Sequence, residues 1–155
     1  MDEKTTKEII STILIVLLTF AIYFGLRIAL HTKTPLVVVV SGSMEPVFYR
    51  GDVVLLKGVK PEEIKVGDVI VYKSAISRYP IIHRVRGIKT IYINGKRELC
   101  FITWGDHNPV PDLYYTTDGV LDCVPAYAVE AKALFVFPRV GIISIKVREL
   151  LGIGG

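Results

Sequence analysis

A chain of 155 residues has room for one domain and an anchor. Hydrophobic residues make up 51% of it and the mean hydropathy is +0.46, so part of the apolar excess belongs in a membrane segment. The formal net charge is +4, but Lys and Arg are scattered, with no basic run and no basic–aromatic interleaving; this argues against nucleic acid and suits a surface facing anionic headgroups.

Residues 1–8 are polar and of mixed charge. Ile9 to Leu26 then carries no charged side chain, close to the lower limit for a spanning helix. Arg27 can snorkel, which extends the span to Leu30 and sets the anchor at residues 9–30. No basic stretch precedes it and no small-x-small cleavage site follows, so it reads as a retained anchor. Lys4 and Lys7 on one side balance Arg27 and Lys33 on the other, so charge alone does not orient it. His31 to Pro35 links the anchor to a β-rich domain spanning 31–155, and Pro35 stops the helix.

Four β-branched residues, Val37 to Val40, predict a strand covered on both faces. It breaks at Ser41-Gly42-Ser43 and closes on Pro46. A hydroxyl at the end of a rigid strand, with a glycine before it, is how a nucleophile is presented. The same residues also make an ordinary strand-to-turn junction, so this stretch does not decide the matter alone. Gly51-Asp52 and Gly67-Asp68 each open an apolar strand, Val53 to Leu56 and Val69 to Tyr72. Between them, Pro61 to Ile64 reads as a single helical turn with proline at its start.

Ser74 to Tyr79 is a predicted loop and Pro80 to Val85 a strand. Ile88 to Ile93, Asn94-Gly95 and Lys96 to Thr103 form a hairpin with a type I′ turn. Trp104 to Asp112 is a loop stiffened by Pro109 and Pro111. Leu113 to Asp122 is polar and rich in Tyr and Thr, and its pattern assigns no element. Ala128 to Phe137 carries one more strand. Gly141 to Leu151 reads as a short amphipathic tail, too charged to span because of Lys146, Arg148 and Glu149, and suited to a membrane interface. Many short strands with frequent turns give a mostly β fold, a small coiled β-barrel behind one N-terminal transmembrane helix. Cys100 and Cys123 lack the spacing of a zinc or redox pair. They read as two independent buried thiols, with a disulfide open to them outside the cytoplasm.

Ser41-Gly42-Ser43-Met44-Glu45-Pro46, followed by Tyr49-Arg50-Gly51-Asp52, resembles the serine box of type I signal peptidases. Ile81-Ile82-His83-Arg84-Val85 and Gly105 to Asp112 resemble two further boxes of that family, in the same order. The histidine marks its archaeal and endoplasmic-reticulum branch, and the resemblance runs from Leu36 to about Ile145. It implies a membrane-bound serine endopeptidase that removes signal peptides from secretory preproteins after small residues. It also implies an inside amino terminus and an outside catalytic domain, in a cell membrane or, in a eukaryote, the endoplasmic-reticulum membrane. Its partners would be preproteins, the bilayer and the protein-translocation machinery. No metal-ligand cluster, phosphate loop or nucleotide motif is present in the sequence, so no cofactor and no metal is expected.

A serine hydroxyl needs a base to become a nucleophile. His83 stands where much of this protease group carries a lysine, which makes it the general base for Ser43. An imidazole, with an ordinary pKa of about 6.5, serves near neutrality without burial. Lys73, about ten residues upstream, is the rival base and belongs to an alternative reading as a serine-lysine self-cleaving protease. The resemblance points to Asp112 as the triad carboxylate and to Asp106 as an essential neighbour. Coming directly after Gly105, Asp106 is expected to cap backbone N–H groups of a turn. His107 departs from the commonest form of the box and reads as an exposed substitution. The oxyanion donors would be the Ser43 backbone N–H and the Ser41 hydroxyl. Val37 to Val40, with Val38 and Val40, and Pro80 to Ile82, with Ile81 and Ile82, would accept an extended peptide by strand addition; their branched walls leave room for small side chains. A membrane-tethered β domain that binds such peptides without cutting them is the reading from a different class.

Overall fold

In a computed structural model of the chain, the structure describes residues 2–152. Helix α1 spans Glu3–Ala29, 27 residues with a mean hydropathy of 2.5 over its most apolar window. At 1.5 Å per residue it is about 40 Å long, more than the roughly 30 Å of a bilayer core. No residue of it is buried. A helix apolar all round and packed against nothing is one that is long and apolar enough to cross a membrane. It starts earlier than the apolar run, inside the polar segment, because the Asp2 carboxylate accepts the Thr5 N–H at 2.7 Å and Glu3 favours the first turn.

Nine strands follow: β1 Leu36–Val38, β2 Val53–Lys57, β3 Val69–Tyr72, β4 Ile81–Ile93, β5 Lys96–Trp104, β6 Tyr114–Thr116, β7 Gly119–Leu121, β8 Val124–Pro125 and β9 Val129–Phe137. Helix α2, Ile142–Leu150, is the last element among the described residues. Seven strands form one curled antiparallel sheet in the order β1-β2-β9-β3-β4-β5-β8, a half-barrel, while β6 and β7 pair apart as a hairpin. The fold is therefore mostly β, as expected. The curl leaves β1 and β8 as open edges.

Strand alternation explains why β3 lies at the centre. Val69 and Val71 face one core cluster with Met44, Phe48, Val54 and Leu56, and Ile70 and Tyr72 face another with Val85, Phe101 and Val124. All four β3 residues are buried. The valine run is the opposite case. It was expected to be covered on both faces, but β1 ends at Val38 and pairs only with β2; Val39 is buried while Val40 is 44% exposed. Its second edge has no strand beside it.

The two strands expected at 80–85 and 88–93 are one strand, β4, whose register shifts between Val85 and Gly87 as a bulge. Asn94 and Gly95 turn the hairpin with φ of 50° and 76°, the two left-handed residues a type I′ turn requires. The unassigned segment 113–122 holds β6 and β7. The cysteines are corrected: Cys100 and Cys123 form a disulfide with Cα atoms 5.6 Å apart. The β5–β8 ladder sets Cys100 opposite Pro125, which brings Cys123 alongside; the spacing of 23 in the chain does not show this.

Candidate active site

Ser43 sits in a turn held on both sides. Before it, Val39 exchanges backbone bonds with the Gly51-Asp52 segment, Val39 N–H to Asp52 O and Gly51 N–H to Val39 O, both 2.8 Å. After it, Met44 and Phe48 are plugged into the core at 0% and 5% exposure. The serine can thus project its side chain outward while its neighbours fix the backbone.

His83 lies on β4 opposite Ile70 of β3 and is 7% exposed. Its Nε2 is 3.0 Å from Ser43 Oγ, and its Nδ1 is 2.6 Å from Asp112 Oδ2. With the proton on Nδ1, the ring donates to the carboxylate and offers Nε2 as acceptor to the serine hydroxyl, the tautomer a general base requires. Asp112 reaches this point on the loop after β5. Its backbone N–H bonds Thr103 O at 2.8 Å, and its Oδ2 also accepts from Thr103 Oγ1 at 2.7 Å and from Tyr72 OH at 2.9 Å.

The same loop touches the serine turn directly. His107 N–H donates to Ser43 O at 2.9 Å, and Asn108 N–H closes a turn on Gly105 O at 2.9 Å. Gly105 lies so close that a Cβ there would meet Ser43 O at 2.2 Å and His83 Nε2 at 3.0 Å. The side chain of His107 is exposed, as expected; its backbone is the part that makes contact.

Asp106 differs from its expected role. It takes a two-point contact from Arg84, Nε to Oδ1 at 2.8 Å and Nη2 to Oδ2 at 2.6 Å, and a further bond from Arg86. Arg84 in turn donates to Gly67 O at 2.9 Å, and Arg86 lies over the Trp104 ring. The guanidinium of Arg84 holds the Asp106 carboxyl below the usual carboxylate range, against the opposing effect of burial. The carboxylate ties two β4 arginines to the loop and makes no hydrogen bond to Ser43 or His83. Guanidiniums outcompete turn N–H groups because both partners are charged.

Of the remaining expected residues, Ser41 has its Oγ 3.3 Å from Ser43 Oγ. Val38, Val40, Ile81 and Ile82 line one open groove of about 520 Å³ that runs to Ser43 and His83. Lys73, the rival base, is 74% exposed and pairs with Glu130 at 3.0 Å. Three contributors were not anticipated: Tyr72, Thr103 and Gly105. Tyr72 and Thr103 read as ordinary strand residues, and only the three-dimensional pairing of β3, β4 and β5 brings them to Asp112.

Residues 7–98 match the family described as signal peptidase, peptidase S26. The chain belongs to the S26 signal peptidases. It is 33% identical over 152 residues to the signal peptidase complex catalytic subunit SEC11 of Komagataella phaffii, covering 92% of this chain and 83% of that protein. It is also 33% identical over 138 residues to human SEC11C, described in the same words, covering 89% of this chain and 70% of the relative. A shorter stretch of 94 residues is 43% identical to SEC11 of Zygosaccharomyces rouxii. This signal peptidase is thus a serine peptidase of the branch that the histidine box suggested.

Proposed function

We propose that Ser43, His83 and Asp112 form the catalytic triad with which this chain cleaves signal peptides from secretory preproteins. The observation that carries the reading is one unbroken hydrogen-bond chain, Ser43 to His83 to Asp112, assembled from three separate segments. Ser43 Oγ attacks the scissile carbonyl as His83 Nε2 takes its proton. Asp112 holds the Nδ1–H and stabilises the imidazolium that forms. The oxyanion is met by the Ser43 backbone N–H and the Ser41 hydroxyl, which lies beside the nucleophile. His83 then protonates the leaving amine, and water, activated by the same imidazole, hydrolyses the acyl-enzyme.

The substrate enters extended. The open edge of β1 and its continuation to Val40 faces one side of the groove, and Ile81 and Ile82 face the other. Backbone pairing with such an edge gives affinity, and branched aliphatic walls favour small side chains near the cut. Helix α1 anchors the site at a bilayer, with the β domain on the extracytoplasmic side. The Cys100–Cys123 disulfide supports that side, since disulfides persist in oxidising compartments. Because the SEC11 relatives are named as subunits of a complex, this chain acts as a catalytic subunit that works next to other membrane components of the secretory route.

The test is cleavage of a preprotein by the full chain in detergent. Ser43→Ala and His83→Ala should abolish cleavage with melting unchanged within a few degrees, and Lys73→Ala should cleave like wild type. Cleavage by Ser43→Ala, or loss in Lys73→Ala with activity kept in His83→Ala, would overturn the assignment.

A further inference from the structure

We propose that Tyr72 is a positioning residue for the reaction, gripping Asp112 from behind and limiting how strongly that carboxylate pulls on His83. Tyr72 is 1% exposed, and its hydroxyl donates to Asp112 Oδ2 at 2.9 Å. Core packing alone does not call for that hydroxyl: a phenylalanine would fill the same space without burying a polar group. The buried phenol needs a partner, and the partner is the triad oxygen itself.

That oxygen receives three donors, from His83 Nδ1, Thr103 Oγ1 and Tyr72 OH. Tyr72 belongs to β3 and Thr103 to β5, the strands on either side of β4, which carries His83. The carboxylate is therefore clamped from both neighbours of the histidine strand and cannot swing along it. The Tyr72 ring also meets the His83 ring edge-on, with centroids 6.5 Å apart. Burial, then the nearby Asp112 charge, push the Tyr72 phenol far up, so it stays a donor throughout the working range.

Each extra donor draws negative charge away from the oxygen that faces the imidazole. Removing one leaves a more basic carboxylate, which favours the imidazolium more strongly and keeps His83 protonated to higher pH. Other ionisable groups around the ring are Asp106 on the loop and Arg84 on β4, and Ser43 Oγ lies at Nε2. None of them bonds to Asp112.

This inference rests on the triad reading, so the experiment carries an arm for each. The full chain in detergent is assayed on a preprotein as wild type, Tyr72→Phe, Thr103→Val and Ser43→Ala. For Tyr72→Phe, kcat should fall about tenfold, the size expected when one hydrogen bond to a charged group is lost. KM should stay unchanged, because Tyr72 does not line the groove. The acidic limb of kcat/KM against pH should move to higher pH, and Thr103→Val should move it the same way. A merely structural role would lower activity only with the folded fraction and leave the limb in place. An unmoved limb in Tyr72→Phe, with or without a shift in Thr103→Val, overturns the positioning role while an inactive Ser43→Ala leaves the triad standing. Cleavage by Ser43→Ala removes both readings.

Discussion

The close approach of Gly105 to the nucleophile turn gives a perturbation whose size follows from the coordinates. In Gly105→Ala the new Cβ would lie 2.2 Å from Ser43 O and 2.9 Å from Ser43 C, where ordinary contact begins near 3.4 Å. Backbone cannot yield as a flexible side chain does, so the serine turn and the 105–108 loop must separate by about 1 Å. That movement also stretches the bond from His107 N–H to Ser43 O, now 2.9 Å, and crowds His83 Nε2. A misplacement of about 1 Å at reacting atoms costs on the order of a hundredfold in rate. Overpacking of this kind costs about 1–3 kcal/mol of stability, which lowers Tm by several degrees. The assay is kcat/KM on a preprotein beside a melting curve. A variant that melts several degrees lower yet cleaves at the wild-type rate would show that the contact supports the fold alone. One that matches wild type in both would show that the loop does not lock Ser43 at all.

Three further outcomes follow from the same geometry. Asp112→Asn should fold and lose about 10³–10⁴ in turnover, since an amide that donates toward Nδ1 favours the wrong tautomer; activity within tenfold of wild type would count against Asp112 as the triad member. Reduction of the Cys100–Cys123 bond, which closes a loop of 23 residues in sequence, should lower stability by about 3 kcal/mol in the chain-entropy account; melting with and without dithiothreitol checks this, and coincident curves would contradict it. Asp106 has its folded pKa held low by Arg84, so its contribution is present above the unfolded value of about 3.9 and is lost as pH falls through the folded one. The Tm gap between wild type and Asp106→Asn should therefore be full at pH 7 and close at acid pH below about 4; a gap that stays constant across that range would refute the pairing.

Much of this was legible in the chain. Short apolar runs and turn chemistry located β2, β3, β5 and the Asn94-Gly95 hairpin, because each signal is local. The serine, histidine and aspartate boxes gave the residues now found within hydrogen-bond reach. What escaped was non-local. The valine run carries a buried-strand composition, but its open edge results from sheet order, which no window of sequence contains. Asp106 follows a glycine as a turn cap would; its arginine partners lie on another strand, 20 and 22 residues upstream. The bulge at Arg86 that joins two expected strands into β4 leaves no mark in composition, and the disulfide depends on a ladder between β5 and β8 that spacing does not show.

The two aspartates of one loop exert different effects on the same imidazole, and distance decides between them. Asp112 meets Nδ1 at 2.6 Å, whereas both oxygens of Asp106 are engaged by guanidiniums. The Asp106 carboxylate also attracts a protonated His83, but from farther off and with its charge answered by Arg84 and Arg86. Interaction energy falls with separation, and Arg86, with 33% of its side chain exposed, is further weakened by solvent. The contact pair at 2.6 Å is therefore the stronger of the two influences on the ring. In Asp106→Asn the two guanidiniums lose their counter-charge and the opposing field grows. The acidic limb of the rate profile should then move to lower pH, opposite to the shift expected when the Tyr72 hydroxyl is removed. A histidine can be adjusted from both sides in this way while it works near neutrality, where a lysine in an open groove would stay protonated.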